Sequence, residues 1–265
     1  PGRGRLRERA REGSRQVTLG HDTTGAGMPV TFVHGFTQTR GSWAPVVSRL
    51  SGVECTVVDA PGHGESTDGA RSLWQCADDI ASTMPSGVLV GYSMGARMAL
   101  HTALAHPHRV TGLVLVSGTP GIEDETERAA RRASDNSLAD HIESVGVATF
   151  IDEWLSNPMF AGLTEHTSMR QERLANTARG LADSLRHAGT GTQENLWPRL
   201  SELTMPVLIV AGAGDTKFTD IARRMHAGVP HSELRIVPSA GHTVHLEATE
   251  AFTELLGAWL VTNTR

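Results

Sequence analysis

Short runs rich in valine, leucine and isoleucine recur along the chain, each closing on a glycine-rich turn that leads into a segment with helical spacing of apolar residues. Residues 29–34, 55–59, 87–92, 112–117, 206–212 and 234–238 are runs of this kind, and 16–19 adds a candidate edge strand. Between them, 42–50, 71–84, 94–105, 219–227 and 247–261 carry the helical pattern. Strand and helix in alternation predict a mostly parallel central sheet with helices on both faces.

The rhythm breaks once. From Thr119 to about Ser201 no strand candidate occurs, only charged, helix-favouring segments at 123–133, 138–155 and 167–186. Such an insertion between two late strands predicts a helical cap over the carboxyl edge of the sheet, where ligands of open α/β sheets bind. The expected organisation is a basic tail over 1–15, a core made of 16–118 and 202–265, and a cap over 119–201.

Length and charge narrow the picture without naming a chemistry. A chain of 265 residues accommodates one large α/β domain with an insertion and does not require a second core. The net charge of −5 offers no general attraction for nucleic acid or an anionic membrane, so an anionic ligand must be held locally. Six arginines crowd the first fifteen residues against Glu8 and Glu12 with almost nothing apolar to bury, which reads as a solvated tail; a targeting or polyanion-binding arm is the alternative, but no apolar signal-type segment follows. Cys55 and Cys76 lack the spacing of a zinc or redox pair, and no apolar run reaches the roughly 18 residues of a membrane span. A cytoplasmic protein with reduced thiols is expected. Oligomeric state is left open.

Gly91-Tyr92-Ser93-Met94-Gly95 lies between apolar Val88-Leu89-Val90 and the helical Ala96-Arg97-Met98-Ala99-Leu100. A serine on so sharp a strand-to-helix turn is crowded by the residues two before and two after it, so both must be small. Gly91 and Gly95 meet that need, and the N–H of Met94 becomes a candidate oxyanion donor. A serine hydroxyl is a weak nucleophile or base until a histidine takes its proton, and that histidine needs a carboxylate to fix its tautomer. Asp215 in Gly212-Ala213-Gly214-Asp215 and His242 in Ala240-Gly241-His242 both follow later strands, giving the chain order serine, acid, histidine. Asp59 also ends a strand, but it precedes the serine and suits a cap on the turn Pro61-Gly62-His63-Gly64. His245, three residues beyond His242, has no nearby cysteine or carboxylate to complete a ligand set, so neither metal nor cofactor is expected. His34-Gly35-Phe36 ends an early strand, which makes the Phe36 N–H the candidate second oxyanion donor and its ring a pocket wall.

These motifs resemble the α/β-hydrolase fold along nearly the whole chain, a fold that hosts many chemistries. The cap is more specific. Thr119-Pro120-Gly121-Ile122, then Glu127-Arg128-Ala129-Ala130-Arg131, then Trp154 ahead of Pro158-Met159-Phe160, resembles the 2-succinyl-6-hydroxy-2,4-cyclohexadiene-1-carboxylate synthase family of the menaquinone pathway. Gly91-Tyr92-Ser93-Met94-Gly95-Ala96-Arg97 and Gly214-Asp215-Thr216-Lys217-Phe218 carry the same resemblance.

The resemblance implies a polycarboxylate substrate held by Arg97, Arg131 and one further cap arginine, with Tyr92 and Trp154 as pocket walls. The stretch 170–186 offers Arg170, Arg173, Arg179 and Arg186, of which Arg173 is chosen by its distance to Gly180-Leu181-Ala182. On the plainer reading Glu127 with Arg131 and Asp124 with Arg128 are exposed helical ion pairs, and Trp154 is cap packing. The implied reaction is a lyase step in which Ser93, activated by His242, removes a proton beside a ketone and pyruvate leaves, with no acyl-enzyme. A serine hydrolase of a small ester or of a diketone carbon–carbon bond would use the same triad, but would have no need of three arginines. A catalytically idle binding protein on this fold would be free to lose a triad member, whereas all three are present.

Overall fold

The computed structural model describes residues 17–263, so the basic tail expected over 1–15 lies outside the described residues, as does Gln16. Seven strands form one sheet in the order β1-β3-β2-β4-β5-β6-β7. They are β1 (His21–Gly25), β2 (Met28–Val33), β3 (Val53–Val58), β4 (Gly87–Tyr92), β5 (Val110–Val116), β6 (Val207–Gly212) and β7 (Ser232–Val237). Only β1 runs antiparallel, against β3. The apolar runs of β4 and β6 are buried throughout, because helices cover the sheet on both sides.

The helices are α1 (Ala44–Val47), α2 (Leu73–Thr83), α3 (Met94–Ala105), α4 (Glu125–Leu155), α5 (Arg170–Arg173), α6 (Ala178–Ala188), α7 (Thr216–Gly228), α8 (Val244–Glu247) and α9 (Thr249–Asn263). Cys76 and Ile80 of α2, Met98 and Leu100 of α3 and Met225 of α7 belong to one apolar cluster. Val46 of α1 and Phe252, Leu256 and Trp259 of α9 belong to another, which includes the alternate side chains of β2 and β4. β2 pairs in parallel with both β3 and β4, so the strand order switches there. Val33 stands opposite Gly91, which makes neighbours of the loops that leave the carboxyl ends of β2 and β4.

The edge strand lies later than the sequence suggests. All five residues of β1 are exposed, and the strand is held by its backbone pairing with β3, which needs no apolar side chain. The apolar pair Val17 and Leu19 marks a contact with α2 instead: Leu19 is buried and its N–H donates to Thr83 Oγ1 at 3.0 Å, while the Val17 N–H donates to Asp79 Oδ1 at 3.1 Å.

Between β5 and β6 there is no strand among the described residues, as expected, but the helices divide differently. The first two segments form the single stretch α4, capped by Asp124, which accepts from the Glu127 N–H at 2.8 Å, and broken inside at Gly146, where φ is 79°. The third is split into α5 and α6. Ala139, Ile142, Phe150 and Ile151 of α4 pack with Leu181 and Leu185 of α6 as a separate small core that reaches Phe36. No helix among the described residues is long and apolar enough to cross a membrane.

Four of the buried histidines are held neutral. Burial lowers His34 to about 4, opposed by its bond to the Gly35 carbonyl; burial and neighbouring His34 lower His63 to about 3. Burial lowers His101 to about 4 and His245 well below 6.5. The unfolded chain therefore binds more protons than the folded one below pH 6.5. Stability is expected to be intact above that value and to fall toward pH 4, by up to about 1.4 kcal/mol per pH unit for each histidine. Urea unfolding across this range checks the slope; a flat profile from pH 6.5 to 5 would contradict it.

Candidate active site

β4 ends in the turn that carries Ser93, whose φ of 52° and ψ of −107° place it outside the ordinary regions for an L-residue. Close packing enforces this conformation. A Cβ on Gly95 would lie 2.2 Å from the Val33 carbonyl oxygen, and one on Gly91 would lie 2.3 Å from the Gly95 carbonyl oxygen. The Ser93 N–H donates to the Val116 carbonyl at 2.8 Å, anchoring the turn to β5.

His242 lies between the serine and the acid. Its Nε2 is 3.1 Å from Ser93 Oγ, and its Nδ1 is 2.7 Å from Asp215 Oδ2. Asp215 also opens α7, accepting from the Phe218 N–H at 3.1 Å. Burial would raise its carboxyl, but the bonds from His242 and Phe218 and the charge of Lys217 outweigh that and hold it below the usual range. The His242 loop is clamped from two sides. Ser117 Oγ donates to the His242 carbonyl at 2.8 Å, and Glu247 accepts from the N–H groups of Gly241 and Thr243 at 2.7 and 2.8 Å. Asp59 takes no part; it is buried beside Arg40 and accepts from the N–H of Glu65 at 3.0 Å.

The loop after β2 is held as firmly. The Ala60 N–H donates to His34 Nε2 at 3.0 Å, which leaves the proton on Nδ1 to be donated to the Gly35 carbonyl at 2.8 Å. The Gln38 N–H donates to the same carbonyl at 3.1 Å. Because a trans peptide is planar, fixing that carbonyl also fixes the Phe36 N–H, which points the opposite way. Thr37 follows with a φ of 68°; its N–H donates to His63 Nε2 at 3.3 Å, and its hydroxyl and carbonyl accept from Arg173 Nη1 and Asn176 Nδ2. Residues of the inserted segment thus hold the loop beside Phe36.

Above Ser93 lies a cavity of about 840 Å³, a size that suits a small-molecule ligand. Phe36, Tyr92, Ser93, Met94, Arg97, Arg131, Trp154, Arg173, Asp215 and His242 all line it. Arg97 is buried, donates to the Ala188 carbonyl at 2.7 Å and has no carboxylate partner among the described residues. Burial and neighbouring Arg131 lower it to about 10, so it stays cationic at neutral pH. Arg131 pairs with Asp135 at 2.7 Å, not with Glu127 as helical spacing suggested, and Asp135 is itself buried and accepts from the Gly191 N–H at 2.9 Å. Arg128 likewise pairs with Glu125 instead of Asp124.

Of the four arginines between 170 and 186, the structure brings only Arg173 to the cavity. Arg170 pairs with Asp152, Arg179 is exposed beside Asp183, and Arg186 is held by Asp140 and Glu143. Arg173 is 1% exposed, lies 6.0 Å over the Phe160 ring and has no carboxylate partner among the described residues. Burial lowers it to about 10. Tyr92 donates to or accepts from Thr243 Oγ1 at 3.0 Å, and Trp154 stands edge-on to Phe36 at 5.4 Å.

Residues 32–255 match the sequence profile of the Alpha/beta hydrolase family. The chain is 32% identical over 242 residues to the 2-succinyl-6-hydroxy-2,4-cyclohexadiene-1-carboxylate synthase of Serratia proteamaculans (strain 568), covering 87% of this chain and 92% of that one. A Bacillus subtilis (strain 168) protein that bears the same synthase name provisionally is 38% identical over 245 residues, covering 87% and 89%. The structure of MenH from S. aureus superposes with a TM-score of 0.85 at 29% identity, covering 94% of this chain and 100% of that one. The chain belongs to this synthase family of the α/β-hydrolases.

Family membership makes sense of the resemblance noted in the cap, yet several side chains that shape the site carry no signal in the sequence. Asp135 is one of many acidic residues on α4, Glu247 lies in a short helix, and Gln38 is an ordinary polar residue in a loop. Only the fold brings them to the cavity or to the loops that bear the triad. The elbow leaves no room for a single added methyl. Gly95→Ala is expected to destabilise by about 3 kcal/mol or more through backbone overlap. Gly257→Ala, where a Cβ meets nothing within 4 Å, is expected to stabilise α9 by roughly 0.5–1 kcal/mol. Paired urea unfolding curves check both signs.

Proposed function

We propose that this chain is the lyase that eliminates pyruvate from 2-succinyl-5-enolpyruvyl-6-hydroxy-3-cyclohexene-1-carboxylate to give 2-succinyl-6-hydroxy-2,4-cyclohexadiene-1-carboxylate, a step of menaquinone biosynthesis. The observation that carries the reading is the joint presence, in one cavity, of a serine–histidine–carboxylate relay and two buried arginines without carboxylate partners among the described residues. A buried guanidinium without a counter-ion is costly, and a ligand that brings carboxylates removes that cost.

In this mechanism His242 accepts the Ser93 proton, and the serine oxygen takes the acidic proton beside the succinyl ketone. Asp215 fixes the imidazole and stabilises its charged form. The electron pair moves to the ketone oxygen, where the N–H groups of Phe36 and Met94 receive the developing charge. Collapse of the enolate forms the ring diene and breaks the carbon–oxygen bond to the enolpyruvyl group, which leaves and takes up a proton to become pyruvate. No bond forms between Ser93 and substrate. Arg97, Arg131 and Arg173 hold substrate carboxylates, Tyr92 and Trp154 wall the ring, and residues 119–201 act as the cap that excludes water. The buried, free thiols of Cys55 and Cys76 support a cytoplasmic setting.

Pyruvate release from this intermediate, followed by coupled oxidation of a nicotinamide, tests the reading. Ser93→Ala is expected to lower kcat about 10²- to 10⁴-fold with its melting temperature kept. Arg97→Ala is expected to lose about 2–5 kcal/mol of transition-state binding, read as kcat/KM. The exposed Arg179→Ala is expected to leave both parameters unchanged. An ester hydrolase would instead tolerate Arg97→Ala, so full activity of that variant, or turnover without Ser93, would overturn the assignment.

A further inference from the structure

Twelve buried polar side-chain atoms lack a hydrogen-bond partner among the described residues, and three of them belong to residues on the cavity wall: Gln38 Nε2, Trp154 Nε1 and Arg173 Nη2. All three are donors with no capacity to accept. Gln38 is the one that neither family resemblance nor charge singles out. It is 1% exposed, and its amide orientation is settled by geometry, because Oε1 accepts from the Gly35 N–H at 3.1 Å. A nitrogen at that position would meet another donor, so Nε2 is the free end.

The three donors belong to one continuous wall. Arg173 donates through Nη1 to Thr37, the residue before Gln38, and its guanidinium lies over Phe160, whose ring is 5.6 Å from that of Trp154. Trp154 in turn meets Phe36, two residues before Gln38. Leaving a buried donor unpaired costs of order 1–3 kcal/mol. A ligand group that only accepts, and has two oxygens to offer, relieves that cost at more than one of these atoms.

We propose that Gln38 is a substrate-binding residue whose Nε2 donates to a substrate carboxylate held by Arg173, with the Trp154 N–H as a further donor. The proposal rests on the polycarboxylate reading of the same cavity. A neutral amide beside a single arginine favours a monoanionic carboxylate over a dianionic phosphate, because only one positive charge is supplied there. Gln38 also ties its own amide to Gly35, so the group that receives the carboxylate and the loop that carries the Phe36 N–H share one anchor.

Gln38→Glu separates the two roles. It keeps an acceptor for the Gly35 N–H and turns the free donor into a second acceptor with a negative charge. Succinate binding by calorimetry is the probe that does not depend on turnover. Wild-type protein is expected to bind succinate, and Gln38→Glu to bind it roughly tenfold to a hundredfold less tightly with its melting temperature preserved. KM for the natural intermediate should rise in parallel while kcat changes little; a merely structural role, acting through the Phe36 N–H, would lower kcat instead. Should Gln38→Glu fail to fold, Gln38→Met removes the donor without adding charge, and a raised KM supports the seat. Unchanged succinate affinity and KM in the folded variant, or no succinate binding by wild type, overturns it. Pyruvate release by wild type with an indifferent Gln38→Glu sinks the seat alone. Succinate binding that depends on Gln38, without pyruvate release, sinks the lyase reading alone.

Discussion

At Ser93 the chain leaves β4 and enters α3 with no room for a side chain two residues before or two residues after it. The Gly95 backbone approaches the carbonyl of Val33 so closely that a Cβ would stand 2.2 Å away. This contact joins β2 to the start of α3, and from it follows the strained φ of 52° that raises the serine hydroxyl above the sheet. The same proximity of β2 and β4 sets the loop bearing Phe36 beside the N–H of Met94. Asp215 and His242 then need only follow β6 and β7, on one side of the elbow, to reach it. One backbone approach therefore governs where the hydroxyl, its relay and both candidate oxyanion donors lie.

Charge sets the character of this cavity, which Arg97, Arg131 and Arg173 all line. Among the described residues Arg97 and Arg173 are buried and cationic with only neutral oxygens as hydrogen-bond partners, whereas Arg131 shares Asp135. The arginine set is thus weaker than a count of three suggests: Asp135 offsets part of the positive charge at the Arg97–Arg131 end, and Arg173 stands alone at the other. Donors that carry no charge gain weight in such a site, because they orient an anion without adding to the repulsion among arginines.

Most of the fold was legible because apolar runs such as Val88-Leu89-Val90 are buried on both faces and cannot be confused with loop. The misplaced edge strand shows the limit of that signal. In β1 every side chain is exposed, and the strand exists through backbone pairing that composition does not register. The meeting of Ser93, His242 and Asp215 was legible because glycines and chain order report on backbone geometry directly. The partners of the arginines were not: helical spacing offered Glu127 to Arg131, but Asp135 wins because the 189–191 loop buries it and donates a backbone N–H. Gln38 was silent for the same reason, since its significance depends on which of its amide atoms the fold leaves unpaired.

The central claim is that Ser93 acts as a base in a site built for carboxylates and not as an acylated nucleophile. The most direct measurement is the isotope effect on kcat/KM with substrate deuterated at the ring carbon beside the succinyl ketone, combined with intact-protein mass spectrometry during turnover. The account requires a primary isotope effect, equimolar pyruvate and diene, and an unmodified Ser93. A rate indifferent to deuterium together with a covalent adduct on Ser93 would contradict it.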